Sequence, residues 1–136
     1  MMIKLSILLI SSMFFSNIDN DITKWDNVIN AIIQIESRGD STAINEKTNA
    51  VGAMQIRKIV VDDCNEYLKI LNINHQYTYE DRWSVEKSKE MFVLIQRRYN
   101  KSNDIEKAVR IWNGGCCYKK KSTDGYYKKF LEYYQN

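Results

Sequence analysis

The chain has 136 residues, of which 44% are apolar, with no proline and a formal net charge of +3. That length fits one domain with a real core, and no repeat, low-complexity block or glycine-rich linker interrupts it. The mild positive charge argues against a dedicated nucleic-acid binder, which is usually far more basic, and is compatible with an anionic polymer as partner.

In chain order, Lys4 supplies a positive start and Leu5 to Phe15 form an uncharged, mostly apolar run. The run is short for a bilayer span, and its length suits the hydrophobic part of an export signal. Polar residues follow at Ser16-Asn17-Ile18-Asp19-Asn20. Residues 1–18 are therefore expected to be a signal peptide, with the cut placed near Ser16, leaving 19–136 as the exported domain. The expected destination is the periplasm or the outside of the cell. An uncleaved anchor and a buried N-terminal helix are the alternatives. No cysteine closely follows the run, which argues against a lipid anchor.

After this segment the pattern is helical almost throughout. Asp21 to Ile35 carries Ile22, Trp25, Val28, Ile29, Ile32 and Ile33 at helical spacing, with Asp19 or Asp21 as a cap and Gly39 as a left-handed stop. Ser41 to Ala53 reads as a loop, and any strand is expected to be short and to lie within Ser41 to Val51. A second helix is expected from about Arg57 to Leu71, with Val60, Cys64, Tyr67, Leu68 and Leu71 as its stripe. Asn72 to Asp81 is loop-like. Ser84 opens a long amphipathic helix, and Ser102-Asn103-Asp104 opens a shorter one that Gly114-Gly115 ends. A basic loop, Lys119 to Lys121, leads to a last helix from about Thr123. The fold class is mainly α, with at most a very short β element.

The three cysteines, Cys64, Cys116 and Cys117, cannot all pair within one chain. After export, Cys64 has one of the adjacent pair as a candidate partner; three free thiols are the alternative. No spacing supports a zinc site. His75 is expected to be a solvated loop residue.

One carboxylate stands out. Trp25, Ile29 and Ile32 share a helix face, and four residues on from Ile32 is Glu36. An acid thus ends an apolar stripe at a helix C-terminus. Partial burial and the negative end of the helix dipole both disfavour its charged form. Such an acid keeps its proton near neutral pH and can protonate a glycosidic oxygen. The ordinary alternative is a glutamate that faces water.

The residues around it carry a resemblance. Glu36-Ser37 within IIQIESRGD, then Gly52-Ala53-Met54-Gln55-Ile56, resemble the ES and G-x-M-Q-I elements of the soluble lytic transglycosylase family, relatives of goose-type lysozyme. AVRIWNGG resembles that family's A-x-x-x-Y-N-x-G element, with Trp112 in the aromatic place before Asn113. STDGYYKKFL resembles its last element and puts Tyr126 at the family's tyrosine. The four elements stand in the family's order over Ile35 to Leu131. Departures are Arg57-Lys58 after the second element, Trp112 for tyrosine, and Ser122 where glutamate is typical. Cys116-Cys117 match nothing in the family pattern.

The resemblance implies a lysozyme-like helical fold with a saccharide cleft, and Glu36 as the sole catalytic acid, then base. Physical chemistry gives each other residue a candidate role toward sugar. Gly52 lets backbone come close. Gln55 offers an amide, Met54 a soft apolar wall and Trp112 a stacking plane. Asn113 suits a sugar amide, Ser37 a hydrogen bond near the acid or the substrate, and Tyr126 a hydroxyl that positions Glu36; the ordinary alternatives are Met54 and Tyr126 as core, and Gln55 and Asn113 as capping or loop residues.

The implied substrate is the glycan strand of peptidoglycan, cut between N-acetylmuramic acid and N-acetylglucosamine. The implied product is a 1,6-anhydro end, made with no metal or organic cofactor. The nearest rival is a hydrolytic lysozyme; an inverting hydrolase wants a second carboxylate across the cleft to activate water, for which Asp40 and Glu46 are the candidates, with solvated loop charges as the alternative. A wall-binding module without catalysis is the rival from another class. A monomer is expected. The domain also serves secretion and phage assemblies, so such a partner stays open. The lysines at 119–121, 128 and 129 read as a solvated edge and not as a nucleic-acid site, since no reader motif or aromatic interleaving accompanies them.

Overall fold

The computed structural model describes residues 2–134, with side chains from Ser6 onward. Met1, Gln135, Asn136 and the Lys4 side chain, on which part of the signal and domain expectations falls, lie outside the described residues.

No glycine or proline occurs before Gly39, so no residue there forces the helix to stop. Helix α1 accordingly runs unbroken over Met2–Ser37. The expected start near Asp19 or Asp21 is absent. The Asp21 carboxylate instead meets the Arg97 guanidinium at 2.7 Å, and the Asp19 carbonyl accepts the Thr23 hydroxyl. Ile18 is fully buried, and Phe14 and Phe15 pack on the core. The helix passes through residue 18 without a break. Farther toward the N-terminus, Leu8, Leu9, Ile10 and Met13 are exposed. Among the described residues no helix is long and apolar enough to cross a membrane.

The C-terminal half of α1 buries Trp25, Val28, Ile29 and Ile32, the stripe that the spacing predicts. Each such side chain contributes roughly 2 kcal/mol by leaving water. Arg38 and Gly39 turn left-handed, at φ 56° and 87°, and end the helix. The chain then forms a small antiparallel hairpin. Strand β1 (Ile44–Asn45) pairs with β2 (Ala50–Val51) in the register Ile44 to Val51 and Asn45 to Ala50. Asn45 Oδ1 accepts the N–H groups of Lys47 and Thr48 and so shapes the turn.

Helix α2 (Lys58–Ile70) buries Val61, Cys64 and Leu68. Leu71, expected on that stripe, falls outside the helix and is exposed. A short 3-10 turn at Tyr79–Trp83 follows, with Thr78 and Asp81 capping each other. Helix α3 (Val85–Tyr99) starts at Ser84, whose hydroxyl accepts Lys87 N–H. Its residues Met91 to Gln96 are all buried, because α1, α2 and α4 surround it. Helix α4 (Ile105–Gly114) is capped by Asp104 and stopped by Gly115 at φ 84°. Helix α5 spans Lys120–Tyr133, so Lys120 and Lys121 are helical and not loop. Buried Arg110 donates to the Lys120 carbonyl and the Thr123 hydroxyl, which ties the first turn of α5 to α4.

Two further expectations change. The His75 ring is only half-exposed, set edge-on to Phe15 at 4.8 Å and Tyr77 at 4.7 Å. Burial holds its proton affinity below the usual histidine value. All three cysteines are free, with Cys64 in the core and the adjacent pair exposed.

Candidate active site

Glu36 lies one residue before the end of α1 and half-buried. Enclosure by the apolar stripe and α5 holds its carboxyl above the ordinary carboxylate range. The Tyr126 hydroxyl donates to Glu36 Oε1 at 2.6 Å and pulls in the opposite direction, by the smaller amount. Tyr126 itself is pushed well above the usual phenol value, by burial first and by the nearby carboxylate second. It therefore stays a donor. The acid is thus neutral-prone, held in one orientation, and open on one side.

That side is a cleft of about 250 Å³ between the hairpin, the start of α2 and the end of α4. Glu36 is the only acidic residue among those lining it. Trp112 and Asn113 come from α4, with the Trp112 ring fixed by Phe92 at 5.3 Å between centroids. Gln55 comes from the turn after β2 and lies at φ 51°, an uncommon pose for a side-chain-bearing residue. Its Nε2 donates to the Ala43 and Gly52 carbonyls, which anchors it beside the acid.

The structure places three other expected residues behind the cleft and not on it. Met54 is fully buried and belongs to the core, so it has no face for a sugar. Gly52 is also buried. A Cβ there would lie 2.2 Å from the Arg82 carbonyl oxygen, so protein backbone takes the close approach expected of a ligand. The Ser37 hydroxyl donates to the Ala53 carbonyl at 2.8 Å and accepts Gly39 N–H. It pins the end of α1 to the loop that carries Gln55. These residues act on the site through its shape.

Three arginines complete the site and carry no local signal. Arg82 is 5% exposed; its Nη1 donates to the Asn49 and Ile56 carbonyls and its Nε to Tyr79, which locks the hairpin against the 3-10 turn. Arg110 is 3% exposed and meets Glu106 and Asp124 at 2.8 Å each. By anchoring α5 it fixes where Tyr126 stands. A buried cation is expensive unless paired, so both need long-range partners that periodicity does not report. Arg57, the exposed N-cap residue of α2, lines the cleft as a cation. Asn45 and Thr48 add polar groups from the hairpin.

Asp40 is exposed, and its carboxylate accepts both the N–H and the hydroxyl of Thr42. These bonds hold it below the usual carboxylate range. Neither Asp40 nor Glu46 lines the cleft.

A mainly helical domain with one protonation-prone glutamate in a narrow cleft defines a lysozyme-like class of protein. The match to the transglycosylase SLT domain family covers residues 14–133, and the chain belongs to that family. Membership supports lytic transglycosylase-type activity on peptidoglycan in general terms. No curated protein matches the chain significantly.

Proposed function

We propose that the chain cleaves the β-1,4 bond between N-acetylmuramic acid and N-acetylglucosamine without consuming water. The observation that supports this reading is a single enclosed carboxyl, oriented by Tyr126, as the only acid lining its cleft. Glu36 donates its proton to the bridging oxygen while the bond from muramyl C1 breaks, and the electron pair leaves with the glucosamine oxygen. The substrate's N-acetyl group stabilises the cation at C1. Glu36, now a carboxylate, takes the proton of the muramyl C6 hydroxyl, whose oxygen closes onto C1. The product is a 1,6-anhydro ring, and the acid ends the cycle protonated. Asn113, Trp112 and Gln55 hold the sugars along the cleft.

Export by the N-terminal apolar run would bring the chain, as a monomer, to the wall. The exposed apolar side chains at that end of α1 support this reading. Hydrolysis has less support, since Asp40 is occupied by Thr42 and neither it nor Glu46 lines the cleft.

The test is product analysis of purified sacculi treated with the wild-type chain and with Glu36→Gln. Anhydromuramic ends from the wild type alone are expected. Reducing muramic ends without anhydro products would overturn the water-free reaction. Equal, negligible release by both chains would overturn catalysis itself.

A further inference from the structure

The wall of the cleft continues into a feature that the proposed reaction does not use. After α4 stops at Gly115, Cys116 and Cys117 form an exposed turn before α5, and their sulfur atoms lie 3.5 Å apart. The turn is held at both ends: Gly115 N–H donates to the Ile111 carbonyl, and Tyr118 N–H to the Gly115 carbonyl. Cys116 lines a shallow hollow together with Arg57, Val60 and Trp112. Those same three residues line the cleft that holds Glu36. The turn thus adjoins Trp112 and Asn113, the two residues just before the glycine pair.

The third thiol is out of reach. Cys64 is fully buried, and its Sγ faces the Met91 carbonyl at 3.6 Å. Burial pushes its pKa far above the usual thiol value, so it is a poor nucleophile. The odd cysteine count thus resolves into one buried core thiol and one exposed adjacent pair.

We propose that Cys116 and Cys117 are a thiol–disulfide exchange site that closes on itself and reshapes the Trp112 wall of the cleft. The partner is a small-molecule disulfide, for which glutathione disulfide is the probe. The hydrogen bond with Cys117 raises the Cys116 thiol above its ordinary value, and burial adds to this. Both sulfurs are exposed and 3.5 Å apart, so either can attack first. In the route through Cys117, its thiolate displaces one glutathione thiolate from the probe and forms a mixed disulfide. Cys116 then attacks the Cys117 sulfur, releases the second glutathione and gives up its proton. The protein loses two electrons and two protons, and the probe becomes two thiols.

Adjacent residues have Cα atoms about 3.8 Å apart, less than the roughly 4.4–6.8 Å that an unstrained disulfide spans. The ring is therefore strained, and strained exposed disulfides are the easily reduced, regulatory kind. Closing it requires the turn to move, which couples its redox state to the cleft wall.

The experiment uses the full chain, reduced and then equilibrated across glutathione buffers of rising oxidant fraction. Free thiols are alkylated, and the digested peptides are weighed. The expected result is a Cys116–Cys117 peptide lighter by two hydrogens, while Cys64 stays a thiol. The change reverses with reductant, persists in Cys64→Ser and is lost in Cys116→Ser and Cys117→Ser. A lasting mixed disulfide, a bond to Cys64, or thiols at both positions under full oxidation would overturn the exchange site. Indole N–H signals by NMR supply a readout independent of activity. Oxidation is expected to shift the Trp112 signal far more than those of Trp25 and Trp83; an unmoved Trp112 would overturn the coupling to the cleft.

Discussion

Two of the hollows along α1 differ in size and in what their charges are doing. The larger, about 590 Å³, is lined by Asp21, Lys24, Arg97, Lys101 and Tyr134 among others. Its one acid, Asp21, is already engaged by Arg97 at 2.7 Å. The smaller, about 250 Å³, holds an acid whose only side-chain partner among the described residues is a tyrosine hydroxyl. Volume marks the first and chemistry the second. A group poised to exchange a proton is one that its surroundings have left incompletely answered, and an ion pair removes that possibility.

The difference between the two hollows rests first on Glu36. Glu36→Gln is expected to lower release of soluble muropeptides by about 1,000-fold, the scale of a lost general acid. Lys24→Ala and Lys101→Ala in the larger hollow should leave that rate within about twofold, since neither group does chemistry. A comparable loss in either lysine variant would reverse the assignment.

Next in size is the support behind the acid. Arg110→Met removes the bonds that anchor α5, and urea unfolding should show about 2 kcal/mol lost, the worth of a charged hydrogen bond or two. The rate falls with it because Tyr126 loses its station.

Tyr126→Phe sharpens the contrast. The rate should drop about tenfold, equivalent to roughly 1.4 kcal/mol. The pH profile separates orientation from packing. The Glu36 carboxyl titrates above the ordinary carboxylate range, so activity that needs its proton is lost as pH rises through that raised value. The tyrosine bond favours the charged form, so its removal should move this alkaline limb to still higher pH. A limb that stays put would mean Tyr126 does not touch the titration, and one that moves down would mean its hydroxyl favours the neutral acid. The same sign applies to stability. A carboxyl raised on folding contributes stability at low pH and loses it as pH climbs past the unfolded value, and Glu36→Gln should flatten that slope in thermal melts.

The smallest expected effect is at Arg57. Arg57→Ala should raise the apparent KM about threefold on peptide-bearing glycan and weaken its salt dependence, with kcat nearly constant, as for an exposed cation attracting an anionic polymer.

Much of this architecture is legible in the residues themselves. The stripe Trp25, Ile29, Ile32 and the cap residues Ser84 and Asp104 are local signals, and local signals translate directly into helices. The place of Glu36 follows from the same spacing, extended by one turn. The Tyr126 contact spans 90 positions and came from resemblance to a family pattern, because periodicity carries no information about distant partners. Arg82 and Arg110 stayed hidden for that reason: a buried arginine has the same local appearance as a surface one. Gly52 and Met54 were read as facing a ligand, when tight packing against Arg82 and the core is what demands a small residue and an adaptable one. The continuity of α1 is hard to read because four polar residues, Ser16, Asn17, Asp19 and Asn20, after an apolar run look like an end, although none of them stops a helix and Ile18 among them is core.

Gln55 has a consequence that reaches past its contact list. Two main-chain carbonyls hold its nitrogen, so the amide cannot swap ends without opposing oxygen to oxygen. An arriving molecule therefore meets an acceptor, and it must bring a hydrogen, from an acetamido N–H or a hydroxyl, to be seated there. Exchanging the residue for glutamate would preserve its outline yet reverse the polarity of its inner half, and the hairpin would loosen before the groove noticed any added charge.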